Sequence, residues 1–439
     1  MSLVRSLGRW SMTFLFVNCV IGSGIFGVPG ELIAAVGRAS PLAMLLAAAA
    51  ISVFVAVFLE VSSQFSEAGG TYLYVRSAFG LFAGLQVGWF YLLSCFSASA
   101  VAANLFIGYA AGVFPAAGSG WIRIGLITIL IAIPAIANCA GARSGANLSS
   151  LLVVAKLLPL ALLIAFGILR YGGGIQTVRF SDVAMPGFSA WIHALLLLVF
   201  SYIGFEDSLV PMGDVRDPRR TTAFALAAGL AIVTAVYTLL QCVTVAAIGA
   251  HTSLHPLADV ADVLMGYRGV FLISIAAMFS TYGYISGSAL TTSRLSYSLA
   301  AQGDFPRFLG RLDSRWNTPV RAILFNAALV WLLAVTGTFK WVLVVTVGAN
   351  MVIYAGACAS LLAFRRRGLT AGVTRVPGGS VLAWIGIAIS IILMTQVELR
   401  QGLLMSVTAL IAALNWWWVR RKHLVLHKLG VHARAGKNV

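Results

Sequence analysis

Apolar runs long enough to cross a bilayer recur from one end of this chain to the other, and that recurrence constrains the fold more than any motif does. A spanning helix needs about 20 apolar residues. The chain offers about twelve such runs, at roughly 11–33, 41–65, 84–113, 121–138, 148–169, 189–213, 222–249, 269–293, 319–336, 338–364, 380–397 and 402–419. Hydrocarbon supplies no water to peptide N–H and C=O groups, so each run must satisfy its own backbone as a helix. With 439 residues, 60% hydrophobic and 10% charged, the runs leave no room for an extramembrane domain, and any chemistry lies within the bundle. The expected fold is an all-α polytopic membrane protein.

Inside the first run stands Gly22-Ser23-Gly24-Ile25-Phe26-Gly27. Each glycine weakens a helix by about 1 kcal/mol relative to alanine. Three in six residues therefore mark either a close helix–helix contact or a break that lines a cavity. In a break, the freed N–H groups opening the outer half-helix converge and can hold an anion such as an amino acid carboxylate. Gly204, within Phe200-Ser201-Tyr202-Ile203-Gly204-Phe205-Glu206-Asp207, is a second candidate break about 180 residues later. That offset fits two copies of a five-span unit, and an odd number of spans per copy inverts the second in the membrane. The expected divisions are residues 1–170 and 171–366 for the two repeats, 367–422 for two further helices and 423–439 for a basic, poorly ordered tail.

The net charge of +17 would suggest a nucleic-acid partner in a soluble protein, but its distribution argues otherwise. With the N terminus in the cytoplasm, roughly 22 Lys and Arg fall on cytoplasmic segments against roughly 7 outside, a positive-inside bias. The outer set is Arg38, Arg123, Arg170, Arg179, Arg268, Lys340 and Arg400. Both termini are then expected in the cytoplasm, in the inner membrane, with no nucleic-acid partner. Attraction to anionic membrane lipid follows as a side effect. The five cysteines (Cys19, Cys95, Cys139, Cys242 and Cys358) lie in or beside apolar runs with no CxxC spacing, so neither a disulfide framework nor a metal site is indicated. The first run is too long for a signal-peptide core and lacks an A-x-A site, so it is expected to be retained.

Several polar residues interrupt the runs. Asn104 and Tyr109 read as interhelical hydrogen-bond partners, and Pro134 as a kink. Lys156 stands alone among aliphatics, roughly 12 Å from the cytoplasmic end of its run at 1.5 Å per residue. A charge at the centre of a span costs about 2.5–3.5 kcal/mol, which leaves two readings. Either the side chain snorkels to the headgroups, or its ammonium occupies a cation site between helices. Glu206 could hold a proton or accept hydrogen bonds from the N–H groups freed at Gly204. Asp207 reads as a structural pair partner. The hydroxyls from Ser286 to Ser293 return by default to their own helix. Arg307, Arg311, Asp313 and Arg315 read as a solvated loop and Arg365-Arg366-Arg367 as a stop-transfer cluster. Trp416-Trp417-Trp418 before Arg420-Arg421-Lys422 reads as an interfacial belt.

Taken together and in order, these motifs resemble the amino acid–polyamine–organocation superfamily of secondary transporters. Gly22 to Gly27 resembles its first-helix break. Glu67-Ala68-Gly69-Gly70-Thr71-Tyr72-Leu73-Tyr74 is similar to its Ala-Gly-Gly-x-Tyr-x-Tyr turn. Gly204-Phe205-Glu206 with Asp217-Pro218-Arg219-Arg220 resembles its Gly-Phe-Glu and Asn-Pro-Arg-Arg segments. Ser293-Arg294 with Asp304-Phe305-Pro306 and Thr318-Pro319 resembles its eighth-helix end and next loop. The resemblance implies a 5+5 inverted repeat of leucine-transporter type plus two C-terminal helices. It implies an amino acid substrate whose carboxylate meets Ser23, Gly24 and Ile25 and whose amino group meets carbonyls near Ile21 and from Phe200 through Ser201 and Tyr202 to Ile203. Phe200 or Tyr202 would gate the site. Lys156, beside the first break and the Thr292 hydroxyl, would replace a sodium ion. Asp217 in place of Asn, and small Ser288 where some relatives carry tryptophan, leave the side-chain preference open. No cofactor is implied; protons are a candidate partner, and oligomeric state is open.

Three other classes are weaker. A membrane-embedded enzyme needs clustered His, Asp or Glu at depth, whereas His193, His251 and His255 lie at run ends or outside. A sensor needs a soluble output domain. A channel shares glycine-broken helices and would differ in lacking saturable counterflow.

Overall fold

The computed structural model describes residues 8–65, 70–140, 146–172, 186–208, 218–249, 253, 255–313, 318–368 and 374–428. These residues form α-helices joined by short turns. In chain order they are α1 (Arg9–Val20), α2 (Gly24–Val36), α3 (Ser40–Ser62), α4 (Gly70–Phe79), α5 (Leu81–Val113), α6 (Gly120–Cys139), α7 (Ala146–Tyr171) and α8 (Phe188–Tyr202). They continue as α9 (Pro218–Ile248), α10 (Pro256–Met265), α11 (Tyr267–Ala301), α12 (Val320–Thr336), α13 (Phe339–Arg366), α14 (Gly379–Met394) and α15 (Leu399–Lys428). Among the described residues eight helical stretches are long and apolar enough to cross a membrane, and α12 and α14 are shorter apolar helices. That count is below the twelve expected. One reason is that α1 and α2 divide the first run between them. The polytopic all-helical architecture stands.

The core runs along α5, which packs against α11, α13, α4, α15 and α12. Its serines make this possible, because small side chains let neighbouring backbones approach where lipid gives no hydrophobic drive. Ser97 accepts from Thr346 at 2.9 Å and Ser99 donates to Ser288 at 3.1 Å. Asn104 donates to the Ala334 carbonyl at 3.2 Å and accepts from Arg123 at 2.6 Å. Tyr109 donates to the Phe26 carbonyl at 2.7 Å. Both therefore act between helices, as the sequence indicates. Helix α6 passes through Pro134 without interruption.

Two ends of the bundle are distinguishable. At one, Arg365 forms a bidentate ion pair with buried Glu60, at 2.7 and 2.6 Å, and also donates to the Val376 carbonyl. Arg365 thus does more than stop a span: it ties α13 to α3. At the same end Arg76 pairs with Asp304, Tyr72 donates to Asp304 at 2.7 Å, and Arg367 donates to the carbonyls of Ser77 and Ala78. At the other end Lys340 meets Glu31 at 3.5 Å. There α10 lies over α2, with Gly30 so close to the Ser253 carbonyl and Pro256 that a Cβ would stand 3.0 Å from the former. Helix α15 continues to Lys428, past the expected start of the tail at 423. Of the expected turn segment at 67–74, residues 70–74 are the start of α4, whereas residues 67–69, like Asp217, lie outside the described residues.

Candidate substrate site

Both glycine breaks exist. Helix α1 ends at Val20, Ile21 leaves helical geometry at φ −74°, ψ 86°, and α2 begins at Gly24. Helix α8 ends at Tyr202, Ile203 is extended at φ −60°, ψ 143°, and Gly204 takes φ 108°. A side chain at that φ would be strained, which is why glycine stands there. Residues 205–208 resume as a single 3-10 turn.

The two breaks interlock. A Cβ on Gly24 would stand 2.7 Å from the Ser201 Cα, and one on Gly204 would stand 2.6 Å from the Cys19 carbonyl oxygen. The first break therefore leans on the end of α8, and the second on the end of α1. Among the described residues the N–H groups of Ser23, Gly24 and Ile25 have no acceptor, while Phe26 already donates to the Ser23 carbonyl at 3.2 Å. The Ser201 hydroxyl beside them is buried, 2% exposed for the residue, and has no hydrogen-bond partner among the described residues. Free N–H groups at a helix start favour an anion. An unpartnered buried hydroxyl costs free energy until something binds it.

Three side chains attend to other groups freed by the breaks. Lys156, buried on α7, donates to the Asn18 carbonyl at 2.8 Å. That carbonyl would accept from Gly22 in a continuous helix, but Gly22 donates instead to Val20 at 2.8 Å. Glu206 accepts from the Gly204 N–H at 3.1 Å and from the Tyr354 hydroxyl at 3.1 Å. A lysine thus caps a carbonyl at one break and a glutamate side chain caps an amide at the other. Tyr237 on α9 reaches both: its hydroxyl lies 3.2 Å from the Val20 carbonyl and 3.0 Å from the Ser201 carbonyl. Asp207 accepts from Tyr91 at 3.1 Å, the pair-partner role read from the sequence.

Ile21, Ser23, Gly24, Ile25, Phe200, Ser201 and Ile203 gather at the crossing. Tyr202 is there as well, but its ring turns to α9, 5.4 Å from the Tyr237 ring, with its hydroxyl 3.4 Å from Thr234. Ser288 and Thr292 form a second group, their hydroxyls 3.4 Å apart on α11. With Cys95, Ser99 and Asn326 they line a cavity of about 30 Å³ between α5, α6, α11 and α12. That space suits a water or two, not an amino acid. Among the described residues Lys156 bonds to the first break and makes no hydrogen bond to Thr292. Sequence reasoning missed Tyr237, whose residue type in an apolar run gives no sign that its hydroxyl lies within reach of a carbonyl at each break.

A family model described as amino acid permease matches residues 7–420. The chain belongs to the amino acid permease family. This permease is also 25% identical over 374 residues to a serine/threonine exchanger, SteT, of Bacillus subtilis strain 168, covering 83% of this chain and 84% of that protein. It is 28% identical over 366 residues to an uncharacterized transporter of Mycobacterium tuberculosis strain H37Rv, covering 82% of this chain and 80% of the relative. The family and these relatives are transporters, not enzymes, and together with the long apolar helices they mark an integral membrane protein.

Proposed function

We propose that this permease carries an amino acid by alternating access, holding its carboxylate and amino groups on the unwound backbone where α1–α2 and α8 are interrupted. The observation that carries the reading is the crossing itself, where unbonded N–H groups of Ser23, Gly24 and Ile25 stand beside the unpartnered Ser201 hydroxyl. An α-carboxylate satisfies those donors without a buried cation, and the carbonyls near Ile21 and Ile203 accept from an α-ammonium. Phe200 is the better gate of the two aromatics, because Tyr202 is engaged by α9. Helices α1–α7 and α8–α13 form the two inverted repeats, with both termini in the cytoplasm of a cell bounded by this membrane.

Transport is sodium-independent, with the Lys156 ammonium in the cation's place. Its contact with the Asn18 carbonyl supports a fixed charge, and hence exchange in preference to proton symport; the exchanger among the relatives agrees with this. The test is uptake into proteoliposomes preloaded with unlabelled amino acid, with serine and threonine first in the panel, with and without sodium and a pH gradient. Counterflow indifferent to both ions supports exchange. Uptake driven by a proton gradient into empty vesicles would turn the reading to symport, and flux that neither saturates nor shows counterflow would indicate a channel. In Lys156→Met, unchanged uptake would remove that lysine from the mechanism.

A further inference from the structure

The last long helix ends in an arrangement the transport reading does not use. Arg421 lies over the Trp417 ring, 3.8 Å from its centroid, and Arg307, from the segment after α11, lies over the Trp418 ring at 5.9 Å. Arg421 follows Trp418 by three residues, so the two guanidiniums flank one side of the helix end. The placement of Arg307 is fixed by its neighbours: Asn415 on α15 donates to the Asp304 carbonyl at 2.8 Å, and Phe305 stacks on Trp89 at 4.9 Å. Among the described residues neither Arg307 nor Arg421 has an acidic partner within ion-pair reach, in contrast to Arg76 and Arg365 at the same end.

Below the arginines the helix surface is apolar and open. Leu410 and Leu414 are each 58% exposed and Trp417 is 47% exposed. With Arg421 they stand at positions i, i+4, i+7 and i+11, a single stripe along α15. Such a stripe offers a track for acyl chains that ends at headgroup level in two cations held on aromatic faces. A guanidinium presents a planar fork of donors matched to phosphate oxygens, and stacking holds the fork ready.

We propose that this end of α15 is a binding site for an anionic phospholipid, with its phosphate between Arg307 and Arg421 and an acyl chain along Leu410, Leu414 and Trp417. Arg420 stacks on Trp416, 5.3 Å from its centroid, and Trp416 packs edge-on against Phe82. It therefore faces another side of the helix and is not part of the site.

The test is native mass spectrometry of the full chain in nanodisc-derived micelles, titrated with phosphatidylglycerol, phosphatidylcholine or inorganic phosphate. Wild type is expected to retain phosphatidylglycerol in preference to phosphatidylcholine and to retain no inorganic phosphate. The Arg307→Gln/Arg421→Gln double variant is expected to bind phosphatidylglycerol about 30-fold more weakly, from the contribution of each basic residue at an anionic surface. Arg420→Gln, and Arg268→Gln at the start of α11, should leave affinity unchanged. Equal retention of both lipids overturns the site, as does an equal loss in Arg420→Gln, which would mean a diffuse basic surface. Binding of inorganic phosphate alone would identify a soluble-anion site and also overturn the lipid assignment. Thermal unfolding of each variant separates lost binding from lost fold.

Discussion

Tyr237 is the residue whose removal most sharply tests the coupling of the two breaks. In Tyr237→Phe the ring stays and one hydroxyl goes. The Val20 carbonyl keeps the Gly22 N–H at 2.8 Å, whereas the Ser201 carbonyl has no other donor among the described residues. Interhelical hydrogen bonds inside membranes average about 0.6 kcal/mol and reach about 1.7 kcal/mol. Leaving a buried acceptor unmatched costs about 1–3 kcal/mol, so the second figure governs. Over 439 residues, an unfolding entropy of about 2.1 cal/mol/K per residue gives about 0.9 kcal/mol per kelvin, hence a Tm lower by about 1–3 °C. Uptake should fall further, because the tyrosine fixes α1 and α8 against each other. Tyr202→Phe removes a longer 3.4 Å bond to a side chain and should lower Tm by less than about 1 °C. Differential scanning fluorimetry and proteoliposome uptake measure both effects. If Tyr237→Phe matched Tyr202→Phe in Tm and left uptake intact, the bridging role would be wrong.

Three further outcomes follow from the same geometry. Gly24→Ala places a methyl 2.7 Å from the Ser201 Cα, so it should abolish binding and uptake while size-exclusion chromatography still shows assembled protein; retained uptake would contradict the close crossing. Breaking the Glu60–Arg365 pair with Glu60→Gln should cost about 3 kcal/mol, the low end for buried pairs because the Arg365 side chain is 24% exposed, and so lower Tm by about 3 °C. Glu60→Leu/Arg365→Met should recover most of that loss, since an apolar pair has no charge to desolvate. The hydrogen bond that His255, outside the spans, donates to Asp259 raises its pKa above the ordinary 6.5. The pair then stabilises the loop over α2 fully below pH 6.5 and loses that contribution as pH rises through the raised folded value. The Tm gap between wild type and Asp259→Asn should be larger at pH 6 than at pH 8, and a constant gap would refute it.

Much of this was legible in the sequence, for physical reasons that differ by residue. Glycines weaken a helix, so Gly22–Gly27 reads as a close contact or a break and Gly204 as a candidate break; the structure shows the chain broken at both, with Gly24 in close contact as well. A lone lysine in hydrocarbon needs a partner, and Lys156 has one in the Asn18 carbonyl. Glu206 left two readings in the sequence, and the structure shows it accepting the Gly204 N–H. Tyr237 and Arg365 were not legible. A buried tyrosine is compatible with many neighbours, and an arginine at a helix end satisfies the topology signal whether or not it meets Glu60. The bond from Ser99 on α5 to Ser288 on α11 was equally hidden, because helical hydroxyls usually bond within their own helix.

The most direct test uses the amino acid that raises the Tm of the purified permease most, compared by calorimetry with its methyl ester and its N-acetyl derivative. If bare peptide groups at the interrupted helices grip both ends of the zwitterion, each blocked form should bind at least about tenfold more weakly, the loss of one charge-assisted contact. Undiminished binding of both derivatives would contradict that account.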